Sequence, residues 1–270
     1  MLTSFMAPLD LMFCKGNTSD FLSIPYPWAL EEGCIDAARA LGKPVTLCYP
    51  WSDDVTATEV FKVASKLKAT TLLLPAVNLD SEATVAKVLK LIDMKPAADY
   101  KWIVIPQGKT MDDFWGCVNK FVSSGVTKNP NFDSFGLDAI GIHCATEECA
   151  PETVKVTDTY VYRQPVVHRM THQSSTQNCQ ITLLGGGNRF GREVAAYRFI
   201  RNVTAMTTYD AWTLAERLIQ LGLPTQGCES ASTLDYELPN PFPVPTKYPS
   251  TTTQKTIFFS NVRNLKDLAG

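Results

Sequence analysis

The sequence predicts an α/β fold, a single (β/α)8 barrel of TIM type, and three observations lead there. Short apolar runs rich in β-branched and aromatic residues alternate with segments of helical periodicity, the pattern of parallel strands joined by crossover helices. Eight such runs can be marked, which is the barrel number. Four of them finish on a proline (Ile24-Pro25, Tyr49-Pro50, Leu74-Pro75 and Ile105-Pro106), and proline cannot donate to a strand ladder. Each proline therefore marks the carboxyl end of a strand, the end that carries ligands in parallel α/β folds.

In chain order the strand runs are Ser4 to Leu9, Phe21 to Pro25, Pro44 to Tyr49, Thr70 to Leu74, Trp102 to Ile105, Ala139 to Ile142, Ile181 to Leu184 and Val203 to Met206. The first helix, Ala29 to Leu41, follows Pro27 and carries two early glutamates, as a helix first turn prefers. Thr58 to Leu67 repeats Val60, Val63, Ala64 and Leu67 at helical spacing, and Ser81 to Ile92 does the same with Val85, Val88, Leu89 and Ile92. Asp80 or Ser81 caps that helix. Asp112 to Val122, Arg192 to Arg201 and Tyr209 to Leu221 complete the set.

Two stretches break the pattern. Residues 145–180 are polar, aromatic and irregular, and read as an insertion or lid. Residues 224–256 hold Pro239, Pro241, Pro243, Pro245 and Pro249 among many Thr and Ser, too proline-dense for regular structure. The expected division is a barrel over residues 1–223 and an extended arm over 224–270 that packs on it.

Composition narrows the function classes. A chain of 270 residues, 45% hydrophobic and 19% charged, has ample core for one large domain. No apolar run is long enough to span a bilayer, and the first residues lack the basic start and apolar stretch of a signal peptide, so no membrane partner and a cytoplasmic location are expected. The net charge of −2 gives no global argument for nucleic acid. Eight cysteines without a CxxC pair support neither a disulfide scaffold nor a close-spaced zinc site; buried free thiols are expected. His168 and His172 could share a helical face, but no glutamate accompanies them in a zinc-protease arrangement. His143 ends an apolar run and could line a pocket.

Two segments could carry chemistry. Gly185-Gly186-Gly187-Asn188-Arg189-Phe190-Gly191-Arg192 follows a strand and opens a helix, where backbone N–H groups and a helix N-terminus can meet an anion. It fits neither the dinucleotide fingerprint nor the P-loop. Four of the chain's nine arginines (Arg189, Arg192, Arg198, Arg201) cluster there, a local basic patch hidden by the global charge. The same residues also read as a tight turn followed by a solvated helix face. In Pro106-Gln107-Gly108, the amide can pair with a planar amide or purine edge and the glycine allows close backbone approach, although a plain turn has the same sequence. Carboxylates near strand ends are Asp10, Asp20, Asp53, Asp54, Asp80 and Asp210, several of them well placed as helix caps.

Taken in order, these pieces resemble the tRNA-guanine transglycosylase superfamily, in particular its divergent, often virus-encoded members that act on DNA. The likeness rests on Gln107-Gly108 at a strand end, Asp138-Ala-Ile-Gly-Ile142 including Gly141, Ile181 to Gly185, and Tyr209-Asp210-Ala211, and covers roughly residues 70 to 220. It implies that Asp210 is the nucleophile, that Gln107, Gly108, Gly141, Gly185 and Gly186 contact the base, and that Arg189, Arg192 and Arg198 hold phosphates of a DNA or tRNA partner. A guanine-type base would leave as Asp210 attacks the anomeric carbon, and an incoming 7-deazaguanine, deprotonated by a second carboxylate, would displace the protein. The target nucleotide must be flipped or single-stranded. No cofactor or metal is implied.

The chain departs from the family in lacking an Asp-Ser-Gly-Gly general-base motif, for which Asp20 (or Asp10) is only a positional stand-in. It also lacks the family's zinc-binding cysteines, and a shifted alignment puts Thr207 at the nucleophile position. Two other readings stay open: a barrel enzyme for a small phosphorylated metabolite cradled by Gly185 to Gly187, and an inactive barrel used for binding or assembly.

Overall fold

The computed structural model describes residues 2–4, 13, 19–49, 55–150, 159–184, 193, 196–197, 200 and 203–206. Among the described residues there are eight strands: β1 (Thr3–Ser4), β2 (Leu22–Pro25), β3 (Val45–Cys48), β4 (Thr71–Leu73), β5 (Lys101–Val104), β6 (Phe132–Asp138), β7 (Gln180–Leu184) and β8 (Val203–Met206). They form one sheet in the order β1-β8-β7-β6-β5-β4-β3-β2, and every pairing is parallel. The two end strands approach one another, because Ser23 Oγ of β2 donates to Ser4 Oγ of β1 at 2.8 Å in a buried contact. The sheet is thus curled, as in TIM-type α/β proteins.

Side chains alternate across it with the period of two that strands impose. On the convex side Leu22, Ile24, Val45, Leu47, Leu72, Trp102, Val104, Phe135, Leu137, Ile181 and Leu183 are buried. The helices cover that side: α1 (Tyr26–Ala29), α2 (Cys34–Leu41), α3 (Ala57–Leu67), α4 (Ser81–Ile92), α5 (Met111–Ser123), α6 (Ala139–Glu147) and α7 (Thr159–His172). Phe121 of α5 meets Phe135 of β6 at 6.5 Å between ring centroids, and Trp102 Nε1 donates to Ala97 O at 2.8 Å. Burying each such apolar side chain contributes about 1.5–3 kcal/mol, which makes this layer the main source of stability.

Local chemistry sets where the helices begin. Thr56 and Glu59 form a reciprocal capping box at α3, Asp80 accepts from Ala83 N at α4, and Thr110 accepts from Asp113 N at α5. All these caps lie at the carboxyl ends of the strands, as right-handed βα units require. The helix expected from Ala29 to Leu41 begins only at Cys34, where Gly33 with a left-handed φ of 77° precedes its first residue, and a separate turn of helix, α1, comes before it.

Two expectations need correction. Ala139 to Ile142 is not the sixth strand; the strand is Phe132–Asp138, and Ala139 opens α6 without an intervening loop. A short apolar run cannot be assigned by periodicity alone, and Asp138, whose Oδ1 accepts from Ile140 N at 2.9 Å, decides the outcome as an N-cap. Nor is 145–180 an irregular lid: its described residues include the fourteen-residue α7, which packs against α6. Pro165 sits inside α7, where, having no N–H, it cannot donate to the carbonyl of Val161. The proline-rich arm lies outside the described residues.

Candidate functional site

At the carboxyl end of the curled sheet, β5 runs into Ile105-Pro106-Gln107-Gly108 and β6 ends at Asp138. Gln107 is 1% exposed and Asp138 5%. Gln107 Nε2 donates to Asp138 Oδ2 at 3.3 Å, and Leu79 N–H, from the turn after β4, donates to Gln107 Oε1 at 3.2 Å. Leu79 reaches it from a left-handed conformation with φ 56°. Three successive strand ends therefore converge on one amide.

The two neighbouring glycines are needed for this approach. A Cβ on Gly108 would lie 2.3 Å from the backbone nitrogen of Phe114, so α5 could not come so close to the loop. One on Gly141 would lie 2.7 Å from Asp138 Oδ2 and 3.1 Å from both amide atoms of Gln107. Next to them, buried His143 meets the Tyr162 ring of α7 at 4.2 Å between centroids. Cys117 of α5 is buried, its Sγ faces Ser81 O at 3.8 Å, and burial pushes the thiol up to about 11, so it stays protonated and unreactive at neutral pH.

A second buried device fixes the ends of β6 and β7. Arg163 of α7, wholly buried, donates from Nη1 to Leu137 O at 2.8 Å and to Leu184 O at 2.6 Å. Its Nε and Nη2 grip both oxygens of Glu193. Burial raises the Glu193 carboxyl from its ordinary range, and the guanidinium opposes that rise. This clamp joins Leu137, next to Asp138, to Leu184, the residue that precedes Gly185.

The sequence-derived site residues separate into three groups. Gln107, Gly108 and Gly141 lie together. Asp20 does not join them: it precedes β2 and lines a cavity at the amino-terminal end, the far side of the sheet, so the expectation that it supplies the second catalytic carboxylate is corrected. Asp210, Gly185, Gly186, Arg189, Arg192 and Arg198 lie outside the described residues. Sequence reasoning passed over the Asp138 side chain, although Asp before an apolar helix is an N-cap signal; no local pattern marks Arg163 or Leu79. His168 and His172 stack with centroids 4.2 Å apart, and among the described residues no group of three His, Cys, Asp or Glu side chains could hold a metal. No helix among the described residues is long and apolar enough to cross a membrane.

No family model matches the chain, and no curated protein matches it. Among solved structures, it is similar to D-allulose 3-epimerase from Methylomonas sp. in complex with D-allulose, with 11% identity, a TM-score of 0.42, and coverage of 81% of this chain and 92% of that one. It is also similar to D-psicose 3-epimerase with D-tagatose from Clostridium cellulolyticum H10, with 12% identity, a TM-score of 0.42, and coverage of 77% and 84%. N-acetylneuraminate lyase from Mycoplasma synoviae gives 11% identity, a TM-score of 0.43, and coverage of 99% and 97%. Likeness at this level carries nothing about activity.

Proposed function

We propose that the chain is a closed (β/α)8 barrel enzyme that exchanges a guanine-type base in DNA or tRNA at the carboxyl end of the sheet. The single observation that carries the reading is the buried contact of Gln107 with Asp138 beside Gly141. A guanine edge presents two N–H donors and one carbonyl acceptor. A carboxylate matches the donors and an amide Nε2 matches the acceptor, so Asp138 and Gln107 together complement that edge. The bond between them, at 3.3 Å, is long enough to yield to such a ligand.

Asp210 then acts as the nucleophile. Its carboxylate bonds to the anomeric carbon while the glycosidic C–N bond breaks and guanine leaves with the electron pair. The incoming base loses its ring N–H proton to a carboxylate at the same end and displaces Asp210. Asp20, at the opposite end, is not that carboxylate. The arginines after Gly187 hold flanking phosphates, which position the strand without reading its sequence.

The test is incorporation of labelled guanine into single-stranded DNA and unmodified tRNA by the full chain. Wild type is expected to incorporate label, Asp210→Asn to abolish it, and Gln107→Ala to raise KM for guanine by about tenfold, the loss of one hydrogen bond of ~1.4 kcal/mol. No incorporation by a folded protein, or incorporation indifferent to both substitutions, overturns the reading. Tight binding of a sugar phosphate that is lost in Arg189→Ala would put the small-metabolite enzyme in its place.

A further inference from the structure

The last turn of α7 carries two side chains that the proposed reaction does not use and the core does not need. His168 and His172 are two of the three histidines in the chain, and both are exposed. The buried side of the helix is supplied by Arg163, Val166, Val167 and Met170 instead. Histidine is a poor helix former, so neither ring is explained by packing or by propensity.

Four residues apart, the two side chains lie one above the other on one helix face. Their rings stack with centroids 4.2 Å apart and planes within 21° of parallel. His172 Nδ1 lies 2.8 Å from His168 O, and a carbonyl only accepts, so Nδ1 carries the proton and donates it. Thr171 Oγ1, whose own hydroxyl proton goes to the carbonyls of Val167 at 3.0 Å and His168 at 2.9 Å, accepts from the same N–H at 3.1 Å. That leaves the lone pair of the neutral ring on Nε2, which has no hydrogen-bond partner among the described residues. The ring nitrogens of His168 have none there either. An imidazole whose other nitrogen donates to a backbone carbonyl is the usual form of a metal ligand, because that bond fixes the tautomer and the ring orientation.

Spacing and charge agree with this. Two nitrogens bound at ~2.0–2.1 Å to one ion stand about 3 Å apart. Nearly parallel rings reach that arrangement by a small turn of His168, which no hydrogen bond restrains among the described residues. The permanent cation of the turn, Arg169, is turned to α5, with its Cζ 4.0 Å from the centroid of the Trp115 ring. Helix α7 ends at His172, so the partial negative charge of its carboxyl end falls beside the pair and favours a cation.

We infer that the carboxyl-terminal turn of α7 is a binding site for a divalent transition-metal ion of the nickel, copper and zinc kind, held by Nε2 of His168 and Nε2 of His172 with water at its other positions. Imidazole nitrogen selects these ions over magnesium and calcium, which take oxygen ligands. Two protein ligands make an exchangeable site, not a closed structural one. The bound ion staples the last turn of the helix that carries Arg163, and it stabilises the folded chain by mass action.

The test is calorimetric titration of the full chain, without a histidine tag, with Ni²⁺ and, beside it, Mg²⁺. One saturable site is expected for Ni²⁺ and none for Mg²⁺. His168→Gln and His172→Gln should each lower the Ni²⁺ affinity by about tenfold or more, since a chelate becomes a single imidazole. Both side chains are exposed, so both variants keep the fold, which circular dichroism checks. Saturating Ni²⁺ is expected to raise the melting temperature of the wild type and to leave that of His172→Gln unchanged. The imidazole proton resonances give a further readout: Zn²⁺ should shift those of His168 and His172 and leave those of buried His143 in place. Absence of a saturable Ni²⁺ site, equal binding of Mg²⁺, or an affinity unchanged in either single variant, which would put the ion on cysteine thiols, overturns the inference. The titration needs no exchange activity, so it decides this site whether or not guanine is exchanged at the carboxyl end of the sheet.

Discussion

The two ends of the curled sheet solve opposite problems with similar residues. At the carboxyl end, Gln107, Asp138 and the Leu79 amide are bonded to one another in close packing that Gly108 and Gly141 permit by having no side chain. At the amino end, Asp20, Asp133 and a set of threonines surround about 410 Å³ of unfilled volume. Polar groups at the first end pack against one another with no space between them, whereas those at the second, although Ser134 bonds Thr182 and Asp133, border a volume. Preorganisation of the first kind fixes orientation, whereas the second leaves volume unfilled.

The contrast breaks most readily at Arg163. Arg163→Ala leaves the Glu193 carboxylate buried without a partner and frees Leu137 O and Leu184 O, a loss of about 3–5 kcal/mol by urea denaturation. Arg163→Met combined with Glu193→Leu should recover most of it, because the desolvation cost of both charges disappears together. A small loss in Arg163→Ala would mean that the carboxyl end is not rigidly held, and the contrast between the ends would weaken.

Next in size is Asp138→Ala. It removes an N-cap, worth about 1 kcal/mol, and leaves a buried amide without its acceptor, worth about 1–3 kcal/mol more. Asp80→Ala, which removes only a cap on an exposed turn, supplies the comparison and should cost about 1 kcal/mol. Equal losses in the two variants would show that the Gln107 contact contributes nothing.

Much of this was readable from residue pattern, and the exceptions have physical causes. Val203–Met206 and Ser81–Ile92 stand where the sequence put them, since strong alternation or a strong helical stripe lay between clear breaks. The sixth strand was displaced by a few residues because Asp138-Ala-Ile-Gly-Ile is apolar on both sides, and only a hydrogen bond from Ile140 tells a cap from a strand residue. Helix α7 was missed since Pro165 and a polar composition hid it; its buried side is held partly by an ion pair, Arg163 with Glu193, thirty residues apart in sequence. The packing of Gln107 against Asp138 is not written in any local pattern, and Asp20 falls at the amino end because a position relative to a motif says nothing about which end of a strand a residue occupies.

A pair of volume changes tests the two spaces directly. Gly108→Ala places a methyl group against the backbone of α5 and should cost about 1–3 kcal/mol of stability. Thr46→Leu at the other end grows into the cavity, and filling of this kind should gain about 0.5–2 kcal/mol. Thermal unfolding of the two variants should thus move in opposite directions from wild type, and a shared direction would deny that one end is filled and the other open.

The smallest effect is a slope with pH. Desolvation raises the Asp133 carboxyl in the folded protein, with the bond from Ser134 and the charge of Lys101 opposing it. A raised acid binds its proton more tightly folded than unfolded, so its contribution favours the folded state at low pH. That contribution is lost as pH climbs from the ordinary carboxylate value near ~4 through the raised one, and it is constant above. Asp133→Asn removes this term. The difference in urea midpoint, wild type minus Asp133→Asn, should therefore fall as pH rises through that window and then level off. A difference independent of pH would show that Asp133 is as well solvated in the folded chain as in the unfolded one, and the amino end would then hold no desolvated carboxylate.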